Sequence, residues 1–442
     1  MKKSKKLLDS SKTTAYIIRV IDLSERQCGK VFALYERIKS NLKRVRYTVV
    51  AYLLIFGALL YPLMLHLFPP GADIGHMLAL SYTFEGTNVE GLLKQPPIFP
   101  FMIFLLNKAS FGYDEVFFTI IKILGVALTL PLGMAFFLLS KQLSKSSLAA
   151  KFGFFLAVLN PLFLYEILWS GYSQFLGMTF AILSIYWLLK SEEGSKHGKL
   201  ACALFASLTL GAHSYTAIFL YVFFLIYFII RILTTEKKTT VLTSWAKIGA
   251  LLLVFSIPYY LSYWNIWNDM KTAAFPSTFS LFLESIKWET IISIPVIVLA
   301  VWVLIVVTAN SYSANFRQMN KSVEVLLTLT ISGFLMFFLT PAVSANRVLY
   351  FLMVPLITFI AIGLSQMSVP RTLFHKREKE KSSKNIWMEG LAVTLVFLMA
   401  TTSVTHYFLS INVFTPMNTE SLDAFEAIRR DSKISNKVLV TS

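Results

Sequence analysis

Long apolar runs recur from about residue 48 to about residue 411, and this recurrence decides what the chain can fold into. In a bilayer every backbone N–H and C=O must find a partner within the protein, so only helices and closed β-barrels can cross. The runs have the length of helices that cross ~30 Å of hydrocarbon at ~1.5 Å per residue, and they lack the ~10-residue alternation of barrel strands. Composition agrees, with 56% hydrophobic and only 15% charged residues among 442. The pattern predicts an all-α polytopic membrane protein. About eleven spans are expected, near 48–68, 116–140, 152–168, 174–190, 198–212, 216–233, 248–264, 289–309, 322–341, 347–367 and 388–411.

The formal net charge is +17. On a soluble chain that would suggest nucleic acid, but here the basic residues gather at particular loops, which points to topology and anionic membrane lipid instead. Residues 1–46 carry thirteen Lys or Arg against four Asp or Glu, with apolar residues at near-helical spacing. They read as a basic cytoplasmic amphipathic segment or as a basic tail without structure. With the N-terminus in the cytoplasm, four further basic loops fall inside: 141–151, 234–247, 310–321 and 368–387. That placement requires 97–111, which is short and opens on proline, to lie at the interface without crossing. The expected organisation is a transmembrane domain over 47–412 in the plasma membrane, with 69–115 as an outer active-site loop, and an outer-side tail over 413–442. The tail holds a helical stripe and one strand-like stretch, too little for a core of its own. The two cysteines, Cys28 and Cys202, lie in unrelated contexts and form no disulfide framework.

In this topology the ionisable residues converge on the outer side, and intramembrane or interfacial charge is costly enough to mark function. Asp73 sits between Gly71 and Gly75, with His76 one turn on. A single placed carboxylate suffices to deprotonate an acceptor hydroxyl as it attacks a sugar carbon. His76 would be a second catalytic group that orients donor or acceptor, a contact to the donor phosphate, or else a helix-facing polar residue. Lys94, before Pro96-Pro97, is either a snorkelling lysine or a clamp on a phosphate leaving group. Arg347 runs against the positive-inside rule on the outer side, and a guanidinium fork for phosphate gives it a reason. Glu166, Tyr172 and Gln174 flank a short outer turn and suit sugar binding or an aromatic belt, and His213 is similarly placed. No P-loop, His-Glu-x-x-His, cysteine-rich or Asp-x-Asp motif is present. No cofactor is therefore assigned, and a divalent metal stays an option without a motif.

These pieces resemble the integral-membrane GT-C glycosyltransferases that use polyprenyl-phosphate sugars, particularly the protein mannosyltransferase and aminoarabinose-transferase type. The resemblance rests on Gly71-Ala72-Asp73-Ile74-Gly75-His76, Lys94-Gln95-Pro96-Pro97, Phe111-Gly112, the basic loop from Lys141 to Lys151, and Leu159-Asn160-Pro161. It covers about residues 48–190. It implies a GT-C-like bundle with juxtamembrane helices in the first outer loop. It also implies Asp73 acting on the acceptor, and Lys94 and Arg347 on the donor phosphate. The implied partners are a polyprenyl-phosphate sugar donor, a lipid, glycan or protein acceptor, and membrane lipids, with no nucleic acid. The Trp-Trp-Asp signature of en bloc oligosaccharide transfer is missing. The alternative is a non-catalytic transporter or flippase for a lipid or lipid-linked sugar.

Overall fold

The computed structural model describes residues 49–66, 96–111, 113–169, 171–260, 294, 296–303, 320–339, 346–367 and 381–414, and every regular element among them is helical. The chain divides into two compact units, Met1–Leu59 and Leu60–Ser442. Of the first unit, residues 49–59 are described and form the start of helix α1 (Val49–Met64), where the rings of Tyr52 and Phe56 lie 6.1 Å apart. The expected basic segment over 1–46 and the tail from 415 lie outside the described residues.

The second unit is a helical bundle whose breaks are written in local chemistry. Helix α2 (Ile98–Ala109) has 12 residues, an axial length of ~18 Å that falls short of a crossing. Helices α3 (Asp114–Ala127) and α4 (Thr129–Ser144) join through Leu128, whose dihedrals stay helical, so they run as one apolar rod over Glu115–Ser144. The rod stops at Lys145, which takes a left-handed conformation (φ 56°) and bonds its N–H to the Lys141 carbonyl at 2.8 Å. Ser146 then caps α5 (Ser147–Val158) by accepting from the N–H groups of Leu148 and Ala149 at 3.2 and 3.3 Å. Asn160 and Pro161 start α6 (Pro161–Trp169) in the same way. The fully buried Asn160 Oδ1 accepts from Leu162 and Phe163 N–H at 3.0 and 3.2 Å, and Pro161 fills the first turn, where no N–H is needed.

The bundle continues with α7 (Tyr172–Glu192), α8 (Gly198–Ala212), α9 (Ser214–Thr234) and α10 (Lys238–Ser256). After them come α11 (Asn320–Leu339), α12 (Asn346–Met367) and α13 (Lys381–Phe414). The expected split of 198–233 into two helices falls at His213. In the main packing pairs α4 lies against α5 and α7, α8 against α7 and α10, α12 against α5 and α11, α9 against α11, and α13 against α6. Among the described residues, five stretches are long and apolar enough to cross a membrane: Glu115–Ser144, Ser147–Leu168, Tyr172–Glu192, Ser214–Thr234 and Lys238–Tyr259. The chain is an all-α polytopic integral membrane protein.

Two of the four expected basic turns, 141–151 and 310–321, contribute Lys145 and Lys321 to one end of this bundle, where they and two helix-end cations find acids. Glu192 accepts from Tyr227 Oη at 2.9 Å and pairs with Lys321 Nζ at 2.9 Å and Arg231 Nε at 3.2 Å. Arg231 Nη1 reaches Glu324 Oε2 at 3.7 Å. Beside them Glu193 bonds Lys145, and Lys190 at 3.0 Å. The Lys145 ammonium, followed by those of Lys190 and the Gln142 amide, holds the Glu193 carboxyl down from 4.5 to about 2, against a smaller upward push from burial. A depressed carboxylate stabilises the fold above its unfolded value and loses that contribution as pH falls through the folded one. The melting-temperature gap between native protein and Glu193→Gln in detergent is therefore expected to be constant above about pH 4.5 and to close as pH falls toward 2. A gap that widened on acidification would contradict the pairing.

Candidate functional site

The opposite end of the bundle carries four of the residues that the sequence singled out, Glu166, Tyr172, Gln174 and His213. Glu166 occupies the last turn of α6, and Gly171 N–H closes that helix on the Glu166 carbonyl at 3.0 Å. A Cβ at Gly171 would lie 1.9 Å from Glu166 Oε1, so the carboxylate folds back over the turn and would have to move aside for any larger residue there. Tyr172 opens α7, is 1% exposed, and meets the Phe99 ring of α2 edge-on at 6.0 Å. Gln174 follows in the same turn and is 3% exposed. Neither its Nε2 nor its Oε1 has a hydrogen-bond partner among the described residues. A buried amide with both ends unmet costs stability, and folded proteins keep few of them.

Glu166 and Gln174 border the same small cavity, with Leu132 of α4, Phe163 of α6, Met178 of α7 and Tyr350 of α12. Its free space suits about one water molecule or one hydroxyl group. Its aromatic wall is ordered: the Phe163 and Tyr350 rings stack at 6.3 Å and 22°, and Phe175 closes on Phe163 at 6.1 Å. Four helices thus bring one acid, one unmet amide and stacked rings together. The surface that lines the free space is apolar, with the unmet Gln174 amide enclosed beside it.

His213 plays another part. It is the N-cap of α9, its Nδ1 accepting from Thr216 N–H at 3.3 Å and lying 2.8 Å from Thr216 Oγ1. Because Nδ1 accepts, the ring proton sits on Nε2. A Cβ at Gly177, one turn beyond Gln174, would lie 2.8 Å from His213 Cβ, so this cap is packed on α7 next to the cavity but does not line it. Arg347 lies in the first turn of α12, and its side chain is outside the described residues. Asp73, His76 and Lys94 are also outside them. Among the described residues no three His, Cys, Asp or Glu side chains gather as a metal centre would require.

Sequence reasoning passed over Phe163 and Tyr350, because an aromatic residue within an apolar run looks the same whether it faces lipid or a cavity. It also passed over Lys122, a lysine inside the apolar run 116–140, whose position was itself a signal.

No protein-family model matches the chain, and no curated protein matches it. Among solved structures, the chain is similar to the crystal structure of ArnT from Cupriavidus metallidurans bound to undecaprenyl phosphate. The identity is 14% and the TM-score 0.46, over 87% of this chain and 78% of that one. A likeness of that size assigns neither a family nor a site.

Proposed function

We propose that the chain is a membrane glycosyltransferase of the GT-C type, moving a sugar from a polyprenyl-phosphate donor to an acceptor on the outer membrane face. The observation that carries this reading is the Gln174 cavity. A buried, unmet amide beside a carboxylate and stacked rings suits a hydroxylated ligand, and it lies at the end of the bundle away from the basic turns. In this reading Asp73 takes the acceptor proton as the acceptor oxygen attacks the anomeric carbon. The bond from that carbon to the phosphate oxygen breaks, with its electron pair going to the phosphate. Lys94 and Arg347 hold the phosphate as its charge grows. His76 orients donor or acceptor, and substrate binding is assigned to Glu166, Tyr172, Gln174 and His213.

The deciding experiment is transfer of labelled sugar from a panel of polyprenyl-phosphate sugars by the native protein in proteoliposomes. Turnover with any donor supports the enzyme. Absence of turnover, alongside protein-dependent movement of the lipid between leaflets, overturns it in favour of a carrier.

Gln174→Leu separates function from stability at this site. Leucine is of similar volume and removes two unmet polar atoms, so the melting temperature in detergent is expected to hold or rise. Transfer efficiency (kcat/KM) in the same assay is expected to fall about 10- to 100-fold, the worth of a lost hydrogen bond to substrate. A variant that is destabilised but fully active would make Gln174 a structural residue.

A further inference from the structure

The stretch that carries Asp73, His76 and Lys94 runs from the end of α1 to the start of α2. At its first end, Leu65 and His66 close α1 by bonding their N–H groups to the Pro62 and Leu63 carbonyls at 3.3 Å. The His66 carbonyl then accepts from the Lys122 ammonium of α3 at 2.5 Å. Lys122 is 4% exposed and, among the described residues, is the one Lys or Arg that is buried. Taking an ammonium out of water costs more than one carbonyl and the negative end of a helix return, and an apolar side chain of similar volume would serve stability as well. What only a long donor can do here is reach across from α3 and fix the carbonyl at which α1 ends.

The second end is held from the same helix. Phe99 of α2 meets the Tyr172 ring edge-on at 6.0 Å, and a Cβ at Gly211 of α8 would lie 2.7 Å from Ile98 Cδ1, so the start of α2 sits in a notch. Tyr172 rests in turn on α3, where a Cβ at Gly125 would lie 2.7 Å from its Oη. Lys122 and Gly125 are both buried and stand three residues apart, on one face of α3. That face therefore holds both ends of the stretch, one directly and the other through Tyr172. The sequence stiffens both exits: Pro69-Pro70 stand between His66 and Asp73, and Pro96-Pro97 between Lys94 and Ile98. Proline has its φ locked, so a shift at either tie is carried outward along the chain.

We propose that Lys122 is a positioning residue for sugar transfer. By holding the His66 carbonyl it sets where the stretch begins, and so where Asp73 stands relative to a donor held near the other end. This rests on the glycosyltransferase reading above; Lys122 acts through the backbone and touches no substrate.

The test measures the turnover number and donor KM for transfer from a polyprenyl-phosphate sugar in proteoliposomes, comparing native protein with Lys122→Met. Methionine keeps the apolar stem and cannot donate. Because it removes a desolvated charge, the variant should melt no lower than native protein in detergent. Turnover is expected to fall about 10- to 100-fold, as a base displaced by ~1 Å would give, with donor KM within about threefold of native. In Asp73→Asn the same substitution is expected to cost less than about threefold, because the group that it misplaces is already gone. If Lys122→Met does not fold, Lys122→Gln, whose amide falls short of the carbonyl, takes its place. Native turnover in the variant overturns the proposal and leaves the lysine a structural tie. A full loss on top of Asp73→Asn also overturns it, since Lys122 would then act other than through the base. A donor KM that rises as turnover falls overturns it in favour of a donor contact. Should the native protein transfer no sugar from any donor, the glycosyltransferase reading falls and the positioning role with it, whereas the other three outcomes remove the role alone.

Discussion

Asp73→Asn is expected to lower the turnover number for sugar transfer by about 10²- to 10⁴-fold, the usual contribution of a positioned general base. Asparagine has the shape of aspartate and still accepts a hydrogen bond, but it cannot take a proton at neutral pH. The acceptor hydroxyl would still bind and would attack without losing its proton. Donor KM is expected to stay within about twofold, because the proposed reading gives the donor phosphate to Lys94 and Arg347 and not to the acid. Parallel losses in turnover and donor affinity would place Asp73 in binding. Unchanged turnover would keep the enzyme and move the base elsewhere. Glu166 is then the first residue to replace, since it is the acid at the cavity and Glu166→Gln preserves its packing over Gly171.

How much could be read beforehand follows from what lipid demands. A crossing helix must be apolar along its length, so hydrophobic runs mark helices closely: 198–212 was expected and Gly198–Ala212 is found, 347–367 was expected and Asn346–Met367 is found. Where the run is interrupted by local chemistry, the pattern blurs. The loop expected over 141–151 is a two-residue turn, because Lys145 adopts a left-handed conformation and Ser146 caps the next helix at once. At the site, Glu166, Tyr172 and Gln174 could be grouped because they lie within one short turn of chain. Tyr350 reaches the same cavity from a helix almost two hundred residues later, and no local pattern carries that pairing. His213 shows the limit from the other side. Its position beside the site was legible, while its use as a helix cap depends on Thr216 and on the backbone around it.

Glu192→Gln is expected to lower stability by about 2 kcal/mol without changing the chemistry. The positive-inside rule explains why Arg231 and Lys321 lie at this end of the bundle, but not why a glutamate stands between them. Glu192 is 17% exposed and Arg231 24%, so their pairing is screened less than a surface bridge yet is not fully desolvated. Breaking a fully buried pair costs ~3–5 kcal/mol and an exposed one under ~1, which brackets the figure. The Arg231 Nε approach is an ion pair outside hydrogen-bond geometry, so the firmer contacts of Glu192 are those from Tyr227 and Lys321. Glutamine would keep the tyrosine contact and leave two cations facing each other with Glu324 as their remaining acid. Thermal unfolding in detergent measures the loss, and in Arg231→Met/Glu192→Gln the two effects should sum to less than their separate values, because both break one network. The α7 helix is 21 residues long, so this cluster stands ~30 Å from Tyr172. In an enzyme that works at the far end, Glu192→Gln should keep native turnover below its melting temperature, with the cluster acting as a static tie among α7, α9 and α11. In a carrier, the same cluster would have to open for cargo to leave. Faster protein-dependent lipid movement between leaflets in Glu192→Gln would then mark it as a gate and count against the transferase.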